Sequence, residues 1–407
     1  MKLTTPVQQI ERAQILDVLR GIAILGIFIN NIYGFSGYAN LQEGARKQFQ
    51  TLPVDDVLNF FQIMLVEGKF YSLFSLLFGI GFSIILIRNQ QKGINPFRIF
   101  YRRLLVLLLM GAAHIYFLWE GDILLLYALL GFVLPLFRNC SNKALLIWAT
   151  ALLLSPIAID AVKLWLQWGP GDSLQHFAEG IDERNGIRGE QWRTYLYRDG
   201  SGWHEWRNYQ QTAFMYRFSS LFNNNRIPKV LGMFLIGFYV GRNMMYANLA
   251  QYKPLLKKIM LWGFVVGIPF SIAMAYFEGD DKNIYRSAWG MADTISYAFG
   301  VVPLSLAYVS TICLLWVKTK GVSKLHVFAS VGRMALTNYL MQTIIACLLF
   351  YGVGFGLGQK FGLVYLFPIA TGIYSLQVLY SNIWFRYFQY GPMEWIWRQL
   401  TYGNVSL

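Results

Sequence analysis

The chain has 407 residues, carries a net charge of +14, and is 56% hydrophobic and only 14% charged. A soluble domain carries about a quarter charged residues, so this composition excludes an ordinary soluble globule and gives the excess apolar surface to lipid. The basic residues sit in short segments between apolar runs, a pattern that sets membrane topology and implies no nucleic-acid partner.

The three cysteines, Cys140, Cys313 and Cys347, form no CxxC pair, so neither a disulfide framework nor a metal site is implied. Met1 to Arg12 lack the basic, apolar, small-residue order of a cleavable signal peptide, and the first hydrophobic helix is expected to act as its own insertion signal.

In chain order, apolar runs lie near 18–38, 69–88, 102–119, 122–137, 144–165, 228–246, 257–277, 290–317, 334–351 and 361–385. They predict an all-α polytopic membrane protein of about ten transmembrane helices. The fourth run is short for a full crossing, and 54–66 is amphipathic and too short to span, as a helix lying at the interface would be. The chain thus divides into a membrane half at 1–165, an extracytoplasmic loop at 166–227 and a second membrane half at 228–407.

With the amino terminus inside, the inner segments carry 20 Lys and Arg, the short outer connections six, and the stretch from Lys163 to Lys229 the remaining nine. Cytoplasmic loops collect such an excess and long loops are exempt from the rule, so both termini are expected in the cytoplasm. The long loop, with Trp203-His204-Glu205-Trp206, is either a lid over an outward-facing site or a polar connector without chemistry.

An ionisable group within a span costs several kcal/mol and is a functional hypothesis unless it reaches an interface. His114 is the one histidine inside a hydrophobic segment, about 16 Å beyond Arg103 at the helical rise of about 1.5 Å per residue. Asp122 opens the next run after a connection too short to separate the two helices far. Together they can form the pair a general base needs, the carboxylate orienting the imidazole; otherwise His114 packs and Asp122 caps a helix. Glu67 and Lys69 flank Gly68 as an interfacial ion pair or as acceptor ligands, and Asp293 either binds substrate or pairs with Arg286 or Lys282. Arg20 and Arg333 each start a run that continues into polar residues: Asn30 and Asn31 after the first, Thr337, Asn338 and Gln342 after the second. Arginines there anchor the cytoplasmic face or bind phosphates bidentately, and Arg102 and Arg103 lie at the same depth.

The motif Leu16-Asp17-Val18-Leu19-Arg20-Gly21-Ile22-Ala23, the segment Trp119-Glu120-Gly121-Asp122, Gly332-Arg333-Met334-Ala335-Leu336-Thr337-Asn338-Tyr339 and Gly391-Pro392-Met393-Glu394-Trp395 together resemble the YeiB-like bacterial membrane proteins. Their carboxy-terminal part is a domain of unknown function, number 418. That resemblance implies a multi-pass protein of the bacterial cytoplasmic (inner) membrane.

More distantly, the Arg20-Gly21-Ile22-Ala23 opening followed by a polar residue is similar to transmembrane acyltransferases, among them the heparan-α-glucosaminide acetyltransferases. Sugar O-acyltransferases of that group carry a histidine where this chain has Asn31. The distant likeness implies a transmembrane-acyltransferase-like fold and an acetyl-CoA or other acyl-CoA donor, held by Arg20, Arg333, Arg102 and Arg103. His114 with Asp122 would serve as base, and Asn31 as oxyanion donor or acceptor ligand. Glu67, Lys69, Asp293 and Asn338 would bind an acceptor: an envelope glycan, a lipid or a small molecule. Two other classes fit the same residues, a small-molecule transporter and a non-catalytic scaffold or sensor. A homo-oligomer is compatible with each.

Overall fold

A computed structural model describes residues 13–91, 93, 95–188, 194–278, 286–319 and 324–403. Within them the chain is helical, without strands. In order the α-helices are α1 Gln14–Phe35, α2 Glu43–Arg46, α3 Leu52–Leu65, α4 Lys69–Gln91, α5 Pro96–Phe117, α6 Leu124–Gly131, α7 Asn142–Leu166 and α8 Asp172–Arg184. They continue as α9 Trp203–Asn223, α10 Arg226–Arg242, α11 Lys253–Glu278, α12 Ala288–Lys318, α13 Val327–Arg333, α14 Ala335–Phe350, α15 Leu363–Trp384 and α16 Pro392–Tyr402.

Seven segments of the described chain are long and apolar enough to cross a membrane, or eight if the bent pair α13–α14 is one span, in place of the ten expected. The fourth expected run folds as the eight-residue α6 followed by a short turn at Leu134–Phe137, where Pro135 supplies no amide donor to prolong the helix. α10 has 17 residues, a rise of about 26 Å that falls short of a hydrocarbon core of about 30 Å. It is apolar because protein surrounds it: Val230, Phe234, Leu235 and Phe238 are all buried, as in any helix that is hydrophobic all round. Close approach to α4 depends on small residues. A Cβ at Gly79 would meet the Phe234 carbonyl oxygen at 2.0 Å, and one at Gly237 the Leu76 carbonyl oxygen at 2.0 Å. Small residues at a helix contact let membrane helices pack closely.

The run at 334–351 is not a straight span with the segment before it. Residues Lys324–Arg333 and Ala335–Phe350 meet at a bend of 80°. The buried amino end of α14 is satisfied from another helix: Glu394 on α16 accepts hydrogen bonds from the Leu336 amide at 2.7 Å, the Thr337 amide at 3.1 Å and the Thr337 hydroxyl at 2.5 Å. A helix start leaves such amides without partners, and here a buried carboxyl supplies them.

The described part of 166–227 is also ordered into helix. α8 and α9 pair through Asp182, which accepts from Thr212 at 2.8 Å and Tyr216 at 2.7 Å. The turn leading into α9 and α9 itself cover the ends of α1 and α5, where the Tyr197 hydroxyl donates to the Gly34 carbonyl at 2.9 Å and Gln210 to the Leu118 carbonyl at 2.9 Å. Arg20, Arg103, Arg333 and Arg398 gather at the opposite end of these helices, lining one cavity.

Candidate active site

Helix α5 stops where the Leu118 and Trp119 amides both bond to the His114 carbonyl at 2.9 Å. A short connection then leads to Asp122, whose Oδ1 accepts from the Leu125 amide at 2.7 Å and caps α6. This hairpin brings the two side chains face to face. His114 Nδ1 lies 3.0 Å from Asp122 Oδ2, and both side chains are fully buried. The separation is that of a hydrogen bond, although the groups are not aligned for one, a geometry common in catalytic pairs before substrate binds. His114 Nε2 lies 2.9 Å from the Thr343 hydroxyl on α14. The tautomer with its proton on Nδ1, toward Asp122, leaves Nε2 as the acceptor nitrogen, and the Thr343 hydroxyl is also within 3.4 Å of the Tyr339 carbonyl oxygen, to which it donates. The Tyr339 ring leans on the imidazole, with centroids 5.3 Å apart. From α9, Arg217 donates to the Asp122 carbonyl oxygen. Nearby Glu120, in the connection beneath α9, takes a hydrogen bond from Tyr209 at 3.1 Å, and burial raises its carboxyl above the usual range.

Two cavities approach this pair. The larger, about 320 Å³, begins among Arg20, Arg103, Arg333 and Arg398 and continues between apolar side chains of α1, α4, α5 and α6. The smaller, about 100 Å³, lies toward the α8–α9 end and is lined by Asn30, Asn31, Arg217, Arg226 and Tyr71 among others. Ile27, Ile123 and Tyr339 line both. His114 and Asp122 line neither; they stand behind Tyr339 and Ile123, one layer from the shared wall.

Of the residues singled out from sequence, His114 joins Asp122, while Asn31 enters the small cavity beside Asn30, whose Oδ1 accepts from Gln62 at 2.8 Å. Arg20, Arg103 and Arg333 enter the large one. Arg20 is paired with Asp17 at 2.8 Å, Arg103 lies over the Trp397 ring at 4.4 Å, and Arg333 over Phe385 at 3.7 Å. Arg102 is exposed and lines neither cavity. Glu67 and Lys69 also line neither: the buried Lys69 ammonium donates to the Ile63 carbonyl at 2.7 Å. Asn338 holds α14 to α15 through the Ser381 hydroxyl at 3.1 Å and the Gln377 side chain at 2.9 Å. Asp293 belongs to a separate polar cluster with Lys229 and Asp160. Of its expected partners, Arg286 pairs with Asp172 and Lys282 lies outside the described residues.

Sequence reasoning missed Arg217, Arg226, Tyr339, Thr343 and Arg398. The first two fall in a stretch whose charges topology rules leave uninterpreted, and Tyr339 and Thr343 look like packing at helical spacing. Their position one turn apart on α14, facing His114, is visible only after folding. Among the described residues no group of three or more His, Cys, Asp or Glu side chains is placed to hold a metal ion.

Residues 240–404 match the family described as "Protein of unknown function (DUF418)". Along nearly its whole length the chain is 32% identical to the "Uncharacterized protein YxaH" of Bacillus subtilis (strain 168), covering 96% of this chain and 94% of the relative. It is 28% identical to the "Uncharacterized protein YeiB" of Escherichia coli (strain K12), covering 96% of each. The chain belongs to the YeiB-like DUF418 family. The DUF418 match takes in α11 to α16, and so contains Tyr339, Thr343, Arg333, Glu394 and Arg398, whereas His114 and Asp122 come from the preceding half. With its apolar helices and bacterial relatives, this DUF418 protein is a multi-pass membrane protein.

Proposed function

We propose that this protein is a membrane acyltransferase that takes an acyl group from an acyl-CoA at the arginine-lined cavity. It passes the group to a hydroxyl or amine held in the smaller cavity. The observation that carries this reading is the shared wall: the two cavities meet at Ile27, Ile123 and Tyr339, with the buried His114–Asp122 pair directly behind. In the reaction the acceptor heteroatom attacks the thioester carbonyl carbon, the C–S bond breaks, and the acceptor's proton is taken up and returned to the leaving thiolate. Catalysis then requires a proton acceptor, donors for the oxyanion and positioning of two substrates. His114 takes the proton once the Tyr339 ring that separates it from the two cavities moves aside, and Asp122 balances the imidazolium. Asn31 and Arg217 face the acceptor cavity and are the candidate oxyanion donors. The arginines hold the donor's phosphates, with their end of the molecule in the cytoplasm and the acceptor outside.

The test is incubation of purified protein in nanodiscs with acyl-CoA, reading release of free thiol with and without an envelope-extract acceptor. Acceptor-dependent release supports the reading; no release from any acyl-CoA sinks it. A carrier is the second reading, since cavities at opposite ends that stop at one thin wall also suit alternating access. Substrate-gated CoA-independent uptake into proteoliposomes is the result it would give.

A further inference from the structure

Acyl transfer as described above uses one cation of the smaller cavity, and the cavity holds two. Arg217 and Arg226 both line it, together with Asn30 and Asn31, and no described residue in its lining is an Asp or Glu. The carboxylates around it are engaged elsewhere. Asp122 turns its side chain to His114 and to the Leu125 amide, so that Arg217 meets only its backbone oxygen. Asp160 accepts from Lys163 at 2.9 Å, Asn225 at 2.7 Å and Thr294 at 2.6 Å. Glu67, between the lining residues Val66 and Gly68, does not itself line the cavity.

The Arg226 guanidinium lies over the Tyr71 ring, 4.6 Å from its centroid, and Arg217 Nε is buried without a hydrogen-bond partner among the described residues. Arg226 also opens α10, and Val230 one turn later lines the same space, so the positive end of that helix dipole faces it. Two guanidinium groups and a helix start around about 100 Å³ make a strongly positive site. Such charge away from water is costly unless an anion completes it.

Resting on the acyl-transfer reading, we infer that the acceptor is an alcohol or amine that carries a phosphate group, and that Arg226 holds this phosphate. The reacting heteroatom then sits at the wall formed by Ile123 and Tyr339, served by Asn31 and Arg217, while the guanidinium of Arg226 gives the phosphate two parallel donors. A cavity of this size suits a compact head group, with heteroatom and phosphate a few bonds apart. A soluble phosphate ester and a phospholipid headgroup present the same chemistry.

The experiment titrates glycerol phosphate and glycerol into the full chain in phosphatidylcholine nanodiscs, with the large cavity occupied by a non-hydrolysable acyl-CoA. Glycerol phosphate should bind about tenfold tighter than glycerol or better. Arg226→Gln should lower its affinity by roughly ten- to a hundredfold, the worth of a charge-assisted hydrogen bond, and leave that of glycerol and the melting temperature unchanged. Arg226→Lys, which keeps the charge without the fork, should lie between. Glycerol phosphate bound no tighter than glycerol in wild type, or bound as tightly by a folded Arg226→Gln protein, overturns the inference. Nanodiscs of phosphatidylglycerol distinguish the two sources: displacement of glycerol phosphate supports a lipid headgroup at the site, and its retention supports a soluble ester. Arg226-dependent phosphate binding in a protein that releases no thiol from any acyl-CoA keeps the anion site and removes the acyl-transfer reading. Thiol release stimulated equally by glycerol and glycerol phosphate keeps that reading and overturns the inference.

Discussion

His114 Nδ1 sits 3.0 Å from Asp122 Oδ2 in a pair wholly removed from solvent, and the same aspartate uses its other oxygen to cap α6 through the Leu125 amide. The two roles separate by substitution. Asp122→Asn keeps an acceptor for the Leu125 amide but loses the charge, so acyl transfer should fall while the melting temperature holds. Asp122→Ala should lose both, with a stability cost of about 1 kcal/mol from the missing cap. Equal turnover in wild type and a folded Asp122→Asn protein would leave the aspartate as a cap alone.

The arginines of the large cavity should divide from their neighbour. Neutralising Arg20 or Arg333 is expected to weaken acyl-CoA binding by about 1.5 to 3 kcal/mol, the worth of a charge-assisted hydrogen bond. Arg102→Ala, one residue from Arg103 yet exposed and outside the cavity, should leave binding unchanged. Isothermal titration with the non-hydrolysable donor distinguishes these outcomes from simple anchoring, which would lower stability without touching affinity.

Much of the architecture is legible in the chain, for reasons that also mark where legibility ends. The His114–Asp122 pair was readable because a hairpin of adjacent helices leaves little freedom. Hydropathy overcounted the spans because apolar residues facing lipid and those facing protein look alike, as in α10, which the bundle encloses. Lys69 looked interfacial beside Glu67, yet its stem carries the ammonium inward to the Ile63 carbonyl. Thr343, Tyr339 and Arg217 reach His114 and Asp122 from more than ninety residues away along the chain, and no local pattern encodes such packing.

The bend between α13 and α14 depends on Glu394. Removing its carboxyl leaves two backbone amides and the Thr337 hydroxyl without their acceptor. Glu394→Ala should therefore cost on the order of 3 kcal/mol, read as a lower melting temperature, and should loosen donor binding, since Glu394 also lines the large cavity. Glu394→Gln, which retains an acceptor oxygen, should lie between.

Docking of α8 on α9 should weaken as pH rises. Burial raises the Asp182 carboxyl above its ordinary range, against the hydrogen bonds from Tyr216 and Thr212 that lower it. A raised value in the folded state favours the protonated form, so its contribution is full below the ordinary aspartate range and is lost as pH climbs through the folded value. Asp182→Asn should accordingly slow hydrogen exchange in α9 at neutral pH and change little in acid; the opposite ordering would show that the hydrogen bonds outweigh burial.

The most direct measurement is the rate of acyl transfer per folded molecule in His114→Ala, with donor affinity determined on the same sample. Loss of the proton acceptor should lower turnover by roughly a hundredfold or more while the donor, held by arginines at the far end of the large cavity, binds as in wild type. Turnover close to wild type in a folded His114→Ala protein would contradict the acyltransferase mechanism and leave His114 as a packed partner of Asp122 and Thr343.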